Sequence, residues 1–431
     1  MKSKALKSII FAVAVIFGVA SSDTFAQIGN GAYVQNEVVV KLFDTSDLSA
    51  ITRQYGLSPT PLAQIGDRPI FRLRVPNGVS VDQIASQLRK DSRKRVAIAE
   101  PNYLLSAPGA GTMNGSWNLG LSWSIGLSWS IGSSVKGSTV QWMRSRIDLD
   151  TAQTLATGQN VKIAVLDTGI DTQHPLFAGK LLPGYDFVDN DNDPTEVGTA
   201  HVGSYGHGTH VAGIIAMVAP DAKIIPVRVL NENGLCDVWR LARALLFAVD
   251  PDGKSNTSDG ADIINLSLGT TQQTDLIRQL IAAETDYGSS PLDPGLPPIG
   301  HPGIVIVAAA GNTGDDTKIY PAAEPDIPGL IAVGASTAGD MLADFSTRGE
   351  WVKLMAPGDR VVSSLPGGRY GVWRGTSMAA PIVSGIAALV RQRFHKLKPP
   401  EIFEQIRRTS VFCNGAVDRR VDAGRAVTLI P

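Results

Sequence analysis

The sequence predicts an α/β protein with a mostly parallel sheet covered by helices on both faces, preceded by a small α+β unit. Three observations predict it. Beyond Val161, short apolar runs of strand length alternate with helix-length stretches, the pattern of a sheet buried on both sides. Ahead of that region, residues 37–105 carry strand and helix signals of their own. A chain of 431 residues is long enough for two or three domains, one of them with an extensive core.

Residues 1–26 read as an export signal. Lys2, Lys4 and Lys7 form a basic start, residues 9–20 an apolar stretch, and small residues follow. The apolar stretch is short for a membrane span, and no second long one follows, so an exported, soluble mature protein is expected. Charged residues make up 18% of the chain and the net charge is −1. No long-range field draws it to nucleic acid or to an anionic membrane, and neither is expected as a partner.

In the small unit, residues 37–43 read as a strand, 47–55 as a helix ending at Gly56, and 69–75 as a second strand. Ser80 and Gln83 make a capping box for a helix through Leu88. Residues 95–99 are a further strand, followed by Glu100-Pro101-Asn102-Tyr103. The order is compatible with a ferredoxin-like βαββαβ arrangement. Residues 116–132 then repeat LSWSIG in tandem after a variant copy, with Trp or an aliphatic residue at every second position. That period suits a strand; a plain duplicated linker and a strand docked on the cleft both fit it.

Residues 161–166, 223–229, 263–266, 304–309 and 330–333 read as buried strands, and 207–217, 238–249, 275–284 and 377–393 as helices. In such sheets functional groups gather at the carboxyl ends of the strands. Asp167, Ser267 and Asn312 follow three of these strands, while His207 and Ser377 begin helices. Cys236 and Cys413 are the two cysteines. Two do not make a disulfide framework, and free thiols are the favoured reading over a bridge.

Asp167 opens DTGID, His207 opens HGTH, and Ser377 lies in GTSMAAP. Each stands beside glycines that let a substrate backbone approach. Asp, His and Ser in that chain order form one of the known arrangements of the nucleophilic triad. Together with AAAGN ending at Asn312 and SLG at Ser267, these strings make the chain resemble the subtilisin-like serine peptidases, or subtilases, from about Gln141 to Ala426. The small unit resembles the inhibitory propeptide that precedes many subtilase domains.

The resemblance implies a serine endopeptidase acting on proteins or peptides, exported as an inactive precursor that processes itself, with its own propeptide as intramolecular inhibitor. The expected organisation is a signal at 1–26, a propeptide at 34–107, a linker at 108–139 and the peptidase domain at 140–431. An unaided serine hydroxyl is a poor nucleophile, so Ser377 needs a base. His207 can take its proton, and Asp167 can hold the imidazole in the right tautomer. The Asn312 amide and the Ser377 backbone N–H are the candidate oxyanion donors. Ser267, Leu268 and Gly269 are the expected edge for an extended peptide, with Gly269 leaving room for its backbone. Ala309, Ala310 and Gly311 would wall the primary specificity pocket. Asp315 and Asp316 could favour basic residues there or be solvated loop acids. Tyr320-Pro321 matches a position where many subtilases have a cis peptide. A catalytically inactive subtilase fold acting as a binding module is the rival from another class.

Other chemistries fit less well. Asp167-Thr168-Gly169 also spells the aspartic-protease triplet, but that reaction needs a second carboxylate motif. His207 and His210 stand three apart, a spacing open to zinc ligands, but without HExxH. No GxGxxG or P-loop follows the first strand. The reaction needs no cofactor. Asp186, Asp189, Asp191 and Asp193 could hold structural calcium or be a solvated acidic loop. The chain departs from the best-known subtilisins by Leu176 in place of an aspartate and by an uninterrupted run after HGTH, both of which remove ligands from one calcium site.

Overall fold

A computed structural model describes residues 32–107, 141–199, 204–253, 259–285 and 303–430; the export-signal and LSWSIG readings fall outside them. The first described stretch folds as β1 (Tyr33–Leu42), α1 (Leu48–Gln54), β2 (Ala63–Gln64), β3 (Ile70–Arg74), α2 (Val81–Arg89) and β4 (Val96–Ser106). Its strands lie in the order β2-β3-β1-β4, all antiparallel, which is the ferredoxin-like arrangement. Ser80 caps α2 by accepting the Gln83 N–H at 3.3 Å. Val81, Ile84, Ala85 and Leu88 are the buried face of that helix, at the spacing that makes one stripe.

β4 runs seven residues past the expected strand end at Ala99. Pro101 argues against a strand interior, but it pairs with Val38 beside a register irregularity in β1. The extension carries β4 out of the small sheet and onto the larger domain.

The larger domain continues with α3 (Trp142–Arg146), α4 (Leu149–Leu155), β5 (Lys162–Asp167), β6 (Tyr185–Asp186), α5 (His207–Val218), β7 (Lys223–Arg228), β8 (Leu235–Asp237), α6 (Val238–Val249), β9 (Ile263–Leu266) and α7 (Asp275–Thr285). There follow β10 (Val305–Ala309), β11 (Leu330–Ser336), β12 (Leu354–Pro357), the hairpin β13 (Val361–Leu365) and β14 (Arg369–Trp373), and α8 (Thr376–Arg393). The C-terminal part adds α9 (Pro399–Thr409), β15 (Val411–Phe412), β16 (Arg419–Arg420) and α10 (Ala423–Thr428). The sheet order is β15-β16-β12-β11-β10-β9-β5-β7-β6, parallel except between β15 and β16.

Alternation along β5 builds two cores. Ile163 and Val165 face the cluster containing α5 and α8, while Ala164 and Leu166 face the one containing α6 and α7. The expected strands and helices of this domain all form. β8, β12 and the β13–β14 hairpin are additions: they are short or polar, so no apolar run announces them.

β4 and β8 pair antiparallel, Leu104 with Asp237 and Leu105 with Cys236. Two further contacts seat the small unit. Glu100 accepts the N–H groups of Asp275 (2.8 Å) and Leu276 (3.3 Å) at the start of α7. Asn102 accepts the N–H of Trp239 at 3.0 Å in the first turn of α6. Both satisfy donors that a helix cannot satisfy itself. Burial pushes the Glu100 carboxyl up to about 8, against these two hydrogen bonds.

Candidate active site

Asp167 is the last residue of β5, and its Oδ1 accepts the Thr168 N–H at 2.8 Å, which fixes its rotamer. His207 opens α5, and its Nδ1 lies 2.6 Å from Asp167 Oδ1. The close approach of strand and helix explains the glycine of HGTH: a Cβ at Gly208 would lie 2.1 Å from the Gly169 carbonyl oxygen. An imidazole donating from Nδ1 keeps Nε2 as an acceptor, and His207 Nε2 is buried with no partner among the described residues. Burial alone would lower the His207 pKa; the charge and hydrogen bond of Asp167, with the charge of Glu196, raise it overall.

Ser377 is the second residue of α8, after Gly375 and Thr376. Its Oγ is 3.4 Å from the Ser267 carbonyl oxygen. The proline of GTSMAAP acts locally. Pro381 has no N–H to give the Ser377 carbonyl four residues back, and the Ser267 hydroxyl donates to that carbonyl instead, at 3.1 Å. Ser267 in turn accepts from Asn265, and Asn265 accepts from Ser384. The Ser267 side chain is thus a buried brace for the start of α8, which leaves its main chain as the expected edge.

Asn312 follows β10, and its Oδ1 accepts the N–H (2.8 Å) and hydroxyl (3.0 Å) of Thr376. That orients the amide so that Nδ2 is a buried donor with no partner among the described residues. Ser377 N, in the first turn of α8, has no intrahelical acceptor. Two donors are therefore available on one side of Ser377, and the positive end of the helix dipole adds to them.

The expected peptide edge holds a segment of the chain itself. Ser106 and Gly269 exchange both backbone hydrogen bonds, at 2.9 and 3.0 Å. Ala107 N–H donates to Gly234 at 2.9 Å. Residues 104–107 thus run between β8 and Gly269 as the middle strand of three. The sequence reading named the Gly269 edge but not the β8 edge. Space for a side chain at Gly269 is taken by Ile319, 2.5 Å from where a Cβ would stand, so the glycine makes room for the chain's own loop as well as its backbone partner. Leu268 is buried, and Ala310 packs with Val352, Met355 and Val417. At Gly311 (φ 106°) a Cβ would stand 2.6 Å from Ile319, and Ala309 is buried beside it. Asp315 accepts from Thr313 and Thr317 within its own exposed loop. Tyr320-Pro321 is cis.

His210 stacks on Trp373 at 4.7 Å and 7°. Its Nε2 meets the Gly371 carbonyl at 3.3 Å, and burial pushes its pKa down to about 3. It is a neutral packing residue. Trp373 also lies over His207, with centroids 6.3 Å apart.

The acidic run does not fit a calcium ion as arranged. The Arg228 guanidinium donates to Asp186 and Asp189 together. Asp191 and Asp193 each accept backbone N–H groups from their own loop. A buried cation already among these carboxylates is the opposite of what a divalent ion needs. Among the described residues, the group of three or more carboxylates close enough to share an ion is instead Asp250, Asp252 and Asp259. Leu176 packs against the core. Cys236 and Cys413 are free thiols, and burial pushes Cys236 up to about 12.

One functional candidate went unread in the sequence. Glu196 is buried between the Asp167 and His207 segments, and its partners are threonines of two separate motifs. The usable signal is a lone acid between the acidic run and HGTH.

The subtilase family model matches residues 158–425, and the fervidolysin N-terminal prodomain model matches residues 20–102. The chain is 33% identical over 419 residues to a thermophilic serine proteinase of Bacillus sp. (strain AK1), covering 90% of each chain. It is 36% identical to thermitase of Thermoactinomyces vulgaris, over 59% of this chain and 82% of that one. The crystal structure of fervidolysin from Fervidobacterium pennivorans shares the fold, with TM-score 0.71 at 23% identity, covering 94% of this chain and 62% of that one. With its prodomain, parallel sheet and family match over most of the larger domain, the chain belongs to the subtilase family and is a serine endopeptidase.

Proposed function

We propose that Ser377, His207 and Asp167 are the catalytic triad of an exported endopeptidase made as a self-processing precursor. The observation that carries this is the Asp167–His207 pair at 2.6 Å, with Nε2 left free to accept a proton. Ser377 Oγ attacks the scissile carbonyl carbon, and its proton passes to His207 Nε2. Asn312 Nδ2 and Ser377 N–H donate to the oxyanion. Collapse breaks the C–N bond as His207 returns the proton to the amine, and water then releases the acyl group by the same path. No step needs a metal. No helix among the described residues is long and apolar enough to cross a membrane.

Residues 1–26 are assigned to a removed leader, 34–107 to the inhibitory propeptide, 108–139 to the linker and 140–431 to the mature peptidase. Occupation of the Gly269 and β8 edges by residues 104–107 supports inhibition by substrate mimicry, in an extended strand held by main-chain bonds. Intact-mass measurement of the mature form is expected to place the cut beyond Ala107 and before Gln141.

A fluorophosphonate should label Ser377 in the mature enzyme; a folded, mature protein that takes no label would point to an inactive binding module. Asn312→Ala should lower kcat by about 10²–10³ with little change in KM, the size known for the equivalent donor in subtilisin itself. Steady-state kinetics on a peptide substrate measure it.

Catalysis needs His207 neutral, and its pKa is raised. Protonation on acidification therefore removes activity, with a midpoint above the ordinary imidazole value of about 6.5. The check is kcat/KM against pH, with circular dichroism to show the fold intact. Full activity well into the acid range would argue against His207 as the base.

A further inference from the structure

We propose that Glu196 is a positioning residue for the reaction, a buried carboxylate that locks the segment bearing Asp167 to the helix bearing His207. The inference rests on the triad reading above.

Four donors converge on its two oxygens. Oε1 accepts from the Thr168 hydroxyl and from the Gly206 N–H at 2.6 Å. Oε2 accepts from the Thr209 N–H at 3.1 Å and from the Thr209 hydroxyl. Each hydroxyl is bridged in turn. Thr168 Oγ1 accepts the Gly208 N–H at 2.9 Å, and Thr209 Oγ1 accepts the Asp171 N–H at 2.9 Å. The first bridge runs from the residue after Asp167 to the residue after His207. The second runs from the other end of DTGID to the same helix. Glu196 stands behind both and fixes the direction in which each hydroxyl proton points.

This arrangement gives the threonines of DTGID and HGTH a physical reason. A backbone N–H on each side needs an acceptor, and the carboxylate takes both hydroxyl protons, leaving each hydroxyl oxygen free to accept one of them. An acceptor-only group is what four converging donors require. A glutamine would turn an N–H₂ toward at least one pair of these donors and leave buried groups unmet. The site is also the start of α5, where two of the four donors are the backbone N–H groups of its N-cap Gly206 and first-turn Thr209, and negative charge is favoured.

Position matters here because Asp167 and His207 meet through one hydrogen bond across two elements. Displacement by about 1 Å between catalytic groups can lower the rate by about 10². Among the described residues, Asp167 from β5, His207 from α5 and Tyr205 from the preceding loop are the titratable groups that interact with Glu196. Burial pushes the Glu196 carboxyl up to about 7, against its hydrogen bonds from Thr168, Thr209 and Gly206. Its charge adds to that of Asp167 in favouring imidazolium at His207.

The test uses the mature enzyme prepared from the full chain, with active sites counted by fluorophosphonate titration. Glu196→Gln is expected to lower kcat per titrated site by about 10² while KM for a short peptide stays near the wild-type value. The acid limb of kcat/KM should also move to lower pH, because one negative charge facing His207 is gone. Thr168→Val should reproduce the kcat loss, Thr168→Ser should restore it, and Thr168→Val with Glu196→Gln should be no worse than either alone. If Glu196→Gln does not fold or mature, the Thr168 pair decides: equal activity of the Val and Ser variants overturns the proposal. A folded Glu196→Gln enzyme with wild-type kcat and acid limb overturns it as well. Failure of wild-type enzyme to take the label would instead overturn the triad reading on which the proposal rests.

Discussion

Ser377→Ala is expected to lower turnover by about 10⁶, the size known for loss of the equivalent serine in subtilisin, carried over through family membership. The residual rate over water would come from Asn312, the helix dipole and substrate binding, none of which the substitution touches. The same variant should accumulate as the uncut precursor when expressed alone in a protease-deficient host. Both readouts are simple: a progress curve on a peptide substrate, and the intact mass of the purified chain. Maturation of Ser377→Ala at the native bond would sink self-processing while leaving the triad open to the kinetic test.

What the sequence made legible follows from how each feature is encoded. β5, β7, β9, β10 and β11 are buried on both faces, so they appear as unbroken apolar runs, and α6 and α8 match their expected ranges to within a residue. Asp167, His207, Asn312 and Ser377 sit in glycine-rich strings whose spacing carries their geometry. β8 was invisible because its three residues, Leu235–Asp237, become a strand only by pairing with β4. The bracing role of the Ser267 hydroxyl was not legible because it answers a vacancy created by Pro381, a hundred residues further on. Glu196 was missed for a related reason: its partners belong to two motifs brought together only by the fold. The acidic run looked like a cation site because its counter-charge, Arg228, comes from another strand.

That counter-charge sets the second large effect. Arg228 and Asp186 are each about 2% exposed at the side chain, and Asp186 also accepts the N–H groups of Val188 and Asp189. Arg228→Ala would leave the Asp186 carboxylate buried beside an empty volume. Removing one partner of a buried pair typically costs about 3–5 kcal/mol, a large fraction of a domain's net stability. Denaturant unfolding in the Ser377→Ala background, where self-digestion cannot interfere, measures it. A companion variant, Arg228→Met with Asp186→Asn, removes both charges and should recover much of the loss. Chelator should leave wild-type turnover unchanged, and should not shift wild-type unfolding through this loop, because the guanidinium and not an ion closes it. A loss below about 1 kcal/mol for Arg228→Ala, the range of an exposed pair, would show that the pair is solvated in solution.

The seating of β4 separates two events that are easily taken as one. A cut beyond Ala107 would leave every contact of the small unit in place: the pairing with β8, the exchange with Gly269, and the Glu100 and Asn102 contacts on α7 and α6. Scission changes the covalent chain but removes none of the adhesion. The cleft would then open only when the severed fragment dissociates or is itself digested, which its separate hydrophobic cluster around Val38, Phe71, Leu73 and Leu88 would resist while folded. On the proposed reading, processing would set the latch, and the lifetime of the fragment's own fold would set the delay. Freshly cut enzyme should therefore migrate as a two-chain complex on a native gel and gain activity after a lag, and substitutions that loosen the cluster around Phe71 should shorten that lag without altering the rate of the cut.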